Sequence, residues 1–234
     1  MKPVVAAIVV AAGDGSRFGG AHRKPFASLA GRPVLLRSLD AIRTAPGLAE
    51  IVLVVHADDA AIRDGELGPE LRALGVTGVV VGGSRRRDSV EAGVRATSAR
   101  AEIVLVHDAA RPLVRPEEIA AVVAATVEVG AAVLAVPVDD TIKRLDADRF
   151  VIETLDRASL WRAQTPQGVY RALILEAYDR FDSDVDVSDD VALVERLGHS
   201  VRVVPGRPDN LKLTRPEDLP ILEAIWRARE EVGR

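Results

Sequence analysis

Val4-Val5-Ala6-Ala7-Ile8-Val9-Val10-Ala11-Ala12-Gly13-Asp14-Gly15-Ser16-Arg17-Phe18-Gly19-Gly20 carries an unbroken apolar run straight into a charged, glycine-rich loop. The run ends at Ala12, about half of the roughly 20 residues that a membrane-spanning helix needs. A short run rich in β-branched residues and closed by glycines reads as a strand buried on both faces, the kind that fills the centre of a parallel sheet. Its place after Met1-Lys2-Pro3 invites a signal-peptide reading. However, 13–20 continue into motif-bearing sequence, and removing the run would remove the first core strand.

The same strand signal recurs at 51–56, 76–81, 103–107 and 131–136. Helical patterns fall between these strands at 33–43, 60–74, 89–96 and 116–129, the last with Pro116 early and Gly130 at its end. Alternating strands and helices predict an α/β fold, a Rossmann-like three-layer α/β/α arrangement with a mostly parallel sheet. The rhythm changes after Pro137. Segments 141–145 and 150–155 alternate apolar and polar residues around Asp146-Ala147-Asp148, which predicts a protruding β-hairpin arm over about 138–158. Such an arm cannot form a core of its own and must pack on something, a second copy of the chain being one candidate. Beyond it, 171–181 and 188–197 read as helices, 199–204 as a strand and 216–229 as a last helix. With no repeat and no linker, 1–234 is expected to be a single domain.

Composition narrows the function. The chain has no cysteine, which excludes disulfides, thiolate metal sites and thiol catalysis. With 31 Lys plus Arg against 35 Asp plus Glu, the net charge is -4, and only 3% of residues are aromatic, so neither the charge nor the stacking surface of a nucleic-acid binder is present. At 48% hydrophobic, 234 residues suffice to bury about 70% of the unfolded surface. A soluble, cytoplasmic protein with no membrane or nucleic-acid partner is expected.

Glycines at a strand end let the backbone wrap a phosphate chain. The dinucleotide pattern fails because Phe18 replaces its third glycine, and no Gly-Lys-Ser/Thr follows for a Walker loop. Arg17 within the loop and Lys24 after it suit a nucleoside triphosphate, although this segment alone is equally compatible with an ordinary surface loop.

Longer patterns decide between them. Ala11-Ala12-Gly13-x-Gly15-x-Arg17-Phe18-Gly19, then Lys24, then Leu29-Ala30-Gly31-Arg32-Pro33-Val34-Leu35 resembles the N-terminal signature of the sugar-phosphate nucleotidyltransferases. Gly82-Gly83-x-x-Arg86-x-x-Ser89-Val90, Val106-His107-Asp108-Ala109-Ala110-Arg111-Pro112, Gln164-Thr165-Pro166-Gln167 and Asp209-Asn210-Leu211-Lys212-x-Thr214 are similar to motifs of the 2-C-methyl-D-erythritol 4-phosphate cytidylyltransferases. The resemblance spans essentially the whole chain in order.

It implies attack of a substrate phosphate oxygen on the α-phosphorus of CTP with loss of pyrophosphate, a reaction that rests on positioning and cation clamps. By resemblance Arg17, Lys24 and Lys212 are the catalytic cations. Ala11, Ala12, Gly13, Gly15, Gly82, Gly83, Arg86, Ser89 and Ala109 are the nucleotide-binding residues. Arg111, Thr141, Arg157, Thr165 and Ser188 are the residues for the phosphorylated polyol. Asp108, at a strand end where open α/β sheets bind ligands, forms with Asp209 the expected magnesium pair, since Mg²⁺ takes oxygen ligands and few carboxylates. A strand-end Asp can also simply cap a turn. His107, one residue earlier, faces the other way and is expected to be packed and hydrogen-bonded. His22, His56 and His199 form no ligand spacing. The resemblance further implies a homodimer in which the arm reaches the partner's site.

Three positions depart from the family pattern: Pro25 where Gln is common, Ser84 where some relatives carry Asp, and Ser188 where Thr is usual. A ribitol 5-phosphate cytidylyltransferase shares all the nucleotide-side residues and is the alternative reading, followed by a nucleotide-binding relative without activity.

Overall fold

The computed structural model describes residues 2–13, 18, 23–182, 187 and 189–232. The opening stretch forms β1 (Val5–Ala11), and both of its faces are covered. Val5, Ala7, Val9 and Ala11 enter one apolar cluster, while Ala6 and Ile8 enter another, as a two-residue side-chain period requires. A tight turn follows at Lys24–Phe26. A two-residue hairpin, β2 (Ser28–Leu29) and β3 (Arg32–Pro33), then turns through Ala30 and Gly31, both at positive φ. Helix α1 (Val34–Ile42) leads to β4 (Leu48–Val55). A 3₁₀ turn (Ala57–Arg63) and α2 (Gly68–Ala73) precede β5 (Val76–Val81).

The helix read at 60–74 is thus two pieces. A Cβ at Gly68 would lie 2.0 Å from the Arg63 carbonyl oxygen, so the chain folds back on itself there instead of continuing one helix. Helix α3 (Arg86–Ala96), β6 (Ile103–Asp108), α4 (Pro116–Val129) and β7 (Ala131–Pro137) follow, with Gly130 ending α4 at φ 93°.

The arm is β8 (Lys143–Leu145) paired antiparallel with β9 (Val151–Thr154). It leads into β10 (Trp161–Tyr170), an element the sequence pattern did not announce. Helices α5 (Arg171–Arg180) and α6 (Val191–Arg196), strand β11 (Arg202–Pro205) and α7 (Asp218–Val232) complete the chain. The main sheet runs β11-β7-β10-β6-β1-β4-β5. Its strands are parallel except β10, which lies antiparallel between β6 and β7. Buried residues of α1, α2 and α4 cover one face, and those of α3, α5 and α6 the other. A third cluster seats α7 against β2 and the turn after β6 through Leu29, Leu113, Leu213 and Leu222.

From β1 the chain proceeds outward through β4 to β5, then returns to place β6 on the opposite side of β1. The crevice at the carboxyl ends of β1 and β6 is therefore the topological switch point, where such sheets bind ligands.

Candidate active site

At that crevice lies a cavity of about 380 Å³ lined by Ala11, Ala12, Gly13, Lys24, Gly83, Ser84, Arg85, Arg86, Ser89, Asp108, Ala109, Lys212 and neighbouring residues. One wall is backbone brought close by small residues. The Gly82 amide donates to the Val55 carbonyl at 2.8 Å, and a Cβ at Gly82 would sit 2.4 Å from the Ala12 Cβ and 2.6 Å from the Ser89 hydroxyl. No other residue fits there. Helix α3 starts at this wall, with the Asp88 carboxylate accepting from the Arg85 amide at 3.2 Å and so capping the first turn.

The other wall centres on Asp108, at the last position of β6. Its carboxylate accepts from Lys212 Nζ at 2.7 Å and from Arg86 Nε at 3.4 Å, and Arg111 Nε lies 3.7 Å away. Burial alone would raise the Asp108 carboxyl, but Lys212, Arg86 and Arg111 outweigh it and hold the group well below the usual carboxylate range. Arg86 is fixed in turn by the buried Asp190, 2.8 Å from its Nη2. Burial pushes Asp190 up while Arg86 opposes it.

Behind Asp108 runs a fully buried chain of hydrogen bonds. Its amide donates to Thr165 Oγ1 at 3.1 Å, Thr165 Oγ1 lies 3.1 Å from His107 Nδ1, and His107 Nε2 lies 3.0 Å from the Arg111 carbonyl. A carbonyl only accepts, so the imidazole proton sits on Nε2 and the threonine hydroxyl donates to Nδ1. His107 is neutral there, and burial pushes its pKa down to about 4.

Lys212 rides on irregular backbone that is stitched at several points. The Asn210 side chain, fully buried, donates to Gln164 Oε1 at 3.1 Å and to the Thr165 carbonyl at 3.2 Å. The Asn210 carbonyl accepts from Arg111 at 2.8 Å, and the Leu213 amide donates to the Ala110 carbonyl at 2.8 Å. Lys24, Arg85, Arg86 and Lys212 thus face a cavity in which Asp108 is the one carboxylate among the described lining residues. A cation-rich pocket in a chain of net charge -4 is built for a small polyanion.

The model of the IspD family, 2-C-methyl-D-erythritol 4-phosphate cytidylyltransferase, matches residues 5–228. The chain belongs to this family. It is 41% identical to the 2-C-methyl-D-erythritol 4-phosphate cytidylyltransferase of Syntrophus aciditrophicus over 232 residues, covering 98% of this chain and 99% of the relative. It is 42% identical to the protein of the same name from Pelotomaculum thermopropionicum, covering 97% and 95%. The solved structure of 4-diphosphocytidyl-2C-methyl-D-erythritol synthase from Anaerococcus prevotii superposes with a TM-score of 0.84 at 30% identity, covering 96% of each chain.

Against the expectations for an IspD family member, the structure gathers Ala11, Ala12, Gly13, Lys24, Gly83, Arg86, Ser89, Asp108, Ala109 and Lys212 around one cavity, with Gly82 packed behind it. Gly15, Arg17 and Ser188 lie outside the described residues.

Other candidates are placed elsewhere. Asp209 does not line the cavity: its Oδ2 lies 3.2 Å from Arg115 Nη2 and 2.8 Å from Arg229 Nη2, which tie it to the start of α4 and to α7. Although burial would raise that carboxyl, Arg229 and Arg115 lower it. Arg111 and Thr165 do not line this cavity but flank Asp108 through the contacts described above. Thr141 and Arg157 sit exposed beside the arm, with Arg157 donating to the Asp139 carbonyl. His56, set aside by spacing, lines the cavity. The rule that ligands gather at strand ends would have found it, because it directly follows β4.

Proposed function

We infer that the chain transfers a cytidylyl group from CTP to 2-C-methyl-D-erythritol 4-phosphate, giving 4-diphosphocytidyl-2-C-methyl-D-erythritol and pyrophosphate. The observation that carries this reading is the Lys212–Asp108 pair, at 2.7 Å, placed at the switch point of a cation-lined cavity whose glycine wall admits a close-lying base. Gly82, Gly83 and Ser89 form that base-side wall. Lys24 faces the triphosphate, and Lys212 faces the α-phosphate. The acceptor's phosphate oxygen attacks the α-phosphorus, the bond to the β-phosphate oxygen breaks, and pyrophosphate leaves. Charge builds on phosphate oxygens throughout, so ammonium and guanidinium groups held in place before the reaction lower its barrier with no protein nucleophile. Asp108 keeps Lys212 and Arg86 extended toward the cavity, and the Thr165–His107 chain holds the Asp108 backbone at the end of β6.

Magnesium is the expected cofactor. Asp108 fits it as a carboxylate of a site whose remaining oxygen ligands come from the nucleotide, an arrangement Mg²⁺ commonly adopts. Asp209 is paired with Arg115 and Arg229 through Oδ2, while its Oδ1 is buried without a hydrogen-bond partner, an oxygen that fits the second ligand of the pair. When bound, the ion neutralises triphosphate charge. Arg157 and Thr141 meet the acceptor across the interface of a cytoplasmic homodimer formed through the arm. Exposed apolar side chains there support that reading: Leu145, Phe150, Val151 and Ile152.

Pyrophosphate release from CTP and magnesium, with 2-C-methyl-D-erythritol 4-phosphate and ribitol 5-phosphate offered separately, tests the reaction. Release with the former is expected. Turnover with ribitol 5-phosphate alone would overturn the acceptor, and no release with either would leave a non-catalytic nucleotide binder.

A further inference from the structure

Arg23 stands immediately before Lys24 and belongs to none of the motifs described above. Its guanidinium reaches the turn after β4, where Nη2 donates to Asp58 Oδ2 at 2.9 Å and Nη1 lies 3.2 Å from Asp59 Oδ2. The Asp59 and Arg23 side chains are largely covered, at 17% and 22% exposure. The same turn is pinned to the cavity from its other end, because the Asp58 amide donates to His56 Nδ1 at 3.2 Å and His56 lines the cavity together with Lys24 and Pro25. On the downstream side of Lys24, Pro25 is buried and has a fixed φ, and the Ala27 carbonyl accepts from the Val34 amide at 3.0 Å. The backbone of Lys24 is therefore held on both flanks, by a proline and helix α1 after it and by a doubly paired arginine before it.

We propose that Arg23 is a positioning residue for Lys24: anchored on Asp58 and Asp59, it holds that lysine over the cavity before the nucleotide arrives. The proposal rests on the reading of Lys24 as a triphosphate clamp. Fixing a residue's backbone costs conformational entropy, which a nucleotide meeting an unanchored lysine would have to supply on binding. A fork-shaped guanidinium shared by two carboxylates fixes the backbone one residue away, where an isolated surface pair would contribute little. Apparent affinity scales with the fraction of molecules already competent to bind, so the anchor acts on the KM for CTP. It leaves the acceptor's KM unchanged, which separates this anchoring from a general loss of the fold.

The test is steady-state kinetics with CTP varied at saturating 2-C-methyl-D-erythritol 4-phosphate, and the reverse, on the full chain and on Arg23→Gln, Arg23→Lys, Asp58→Asn/Asp59→Asn, the triple variant and Lys24→Ala, with Tm measured for each. Arg23→Gln is expected to raise the KM for CTP about two- to fivefold while the KM for the acceptor stays at the wild-type value. The aspartate pair should do the same, the triple variant should be no worse than either, and Arg23→Lys should recover part of the loss. A wild-type KM for CTP in Arg23→Gln beside an impaired Lys24→Ala overturns the anchor. A triple variant whose loss is the product of the separate losses also overturns it, since the groups would then act independently. A wild-type Lys24→Ala overturns the clamp reading of Lys24, and the anchor with it.

Discussion

Replacing Asp108 with asparagine keeps the shape of the side chain and removes one charge from the middle of three cations. Lys212, Arg86 and Arg111 lie 2.7, 3.4 and 3.7 Å from its oxygens. At an effective dielectric near 20, each such pair is worth about 4–6 kcal/mol before the cost of burying the ions is subtracted. That cost consumes most of the sum. Removing one partner of a buried ion network nevertheless leaves its other members uncompensated, and the expected destabilisation of Asp108→Asn is about 3–5 kcal/mol.

Asp108 has a folded pKa depressed below its unfolded value. Its contribution is therefore fully present above the unfolded carboxyl pKa near 3.9 and is lost as the pH falls through the folded value. The deficit of the variant should accordingly be constant from about pH 8 to pH 5. Urea melts at both pH values measure it as a midpoint lowered by about 1 M or more. Lys212→Met removes only one of the three cations, so it should cost less stability while lowering turnover about 10²–10³-fold. If Asp108→Asn lost under about 1 kcal/mol, the three cations would have to be solvated in the folded protein and the network described here would not hold them.

Three further outcomes follow from the same structure. His107 has a folded pKa of about 4, below the 6.5 of a free imidazole, so its stabilising contribution is present above pH 6.5 and is lost as the pH falls toward 4. About 2 kcal/mol of that loss falls between pH 7 and pH 5, and His107→Gln should flatten that limb in urea melts at the two pH values. Gly82→Ala places a methyl 2.4 Å from the Ala12 Cβ, so it should cost about 1–3 kcal/mol in overpacking and raise the KM for CTP well beyond any effect on the acceptor. On the proposed arm-mediated homodimer, a charge at Ile152, 62% exposed, should yield a monomer in sedimentation velocity where the unaltered chain sediments as a dimer; identical sedimentation of the two would refute an arm interface.

The strands that carry consecutive apolar residues were legible in the sequence, and so were the helices between them, because burial on both faces leaves a pattern that needs no neighbour to interpret. The segment at 161–170 left no such trace. Arg162, Gln164, Thr165 and Gln167 interrupt its apolar residues and Pro166 removes a donor, yet it lies in the middle of the sheet. Its polar side chains are satisfied by groups distant in sequence, Gln164 by Asn210 and Arg207 and Thr165 by His107 and Asp108, and periodicity cannot register such partners. The site divides in the same way. Residues whose backbone forms the cavity wall announced themselves as glycines and alanines after strands. Which groups hold Asp209 and Thr165 depends on Arg115, Arg229 and His107, none of which belongs to their own motifs.

Among the described strands β10 alone joins β6 to β7, so without it the sheet would part into a four-stranded piece and a two-stranded one. On a ribosome, the strands that carry every glycine motif emerge and can pair among themselves well before β10 does. Until Thr165 arrives, however, the amide of Asp108 has no acceptor and the imidazole of His107 no donor. A nascent chain ending short of β10 would thus leave the backbone beneath Asp108 unfinished, and because Lys212 follows β10 in the chain, catalytic competence becomes a late event in the life of the polypeptide.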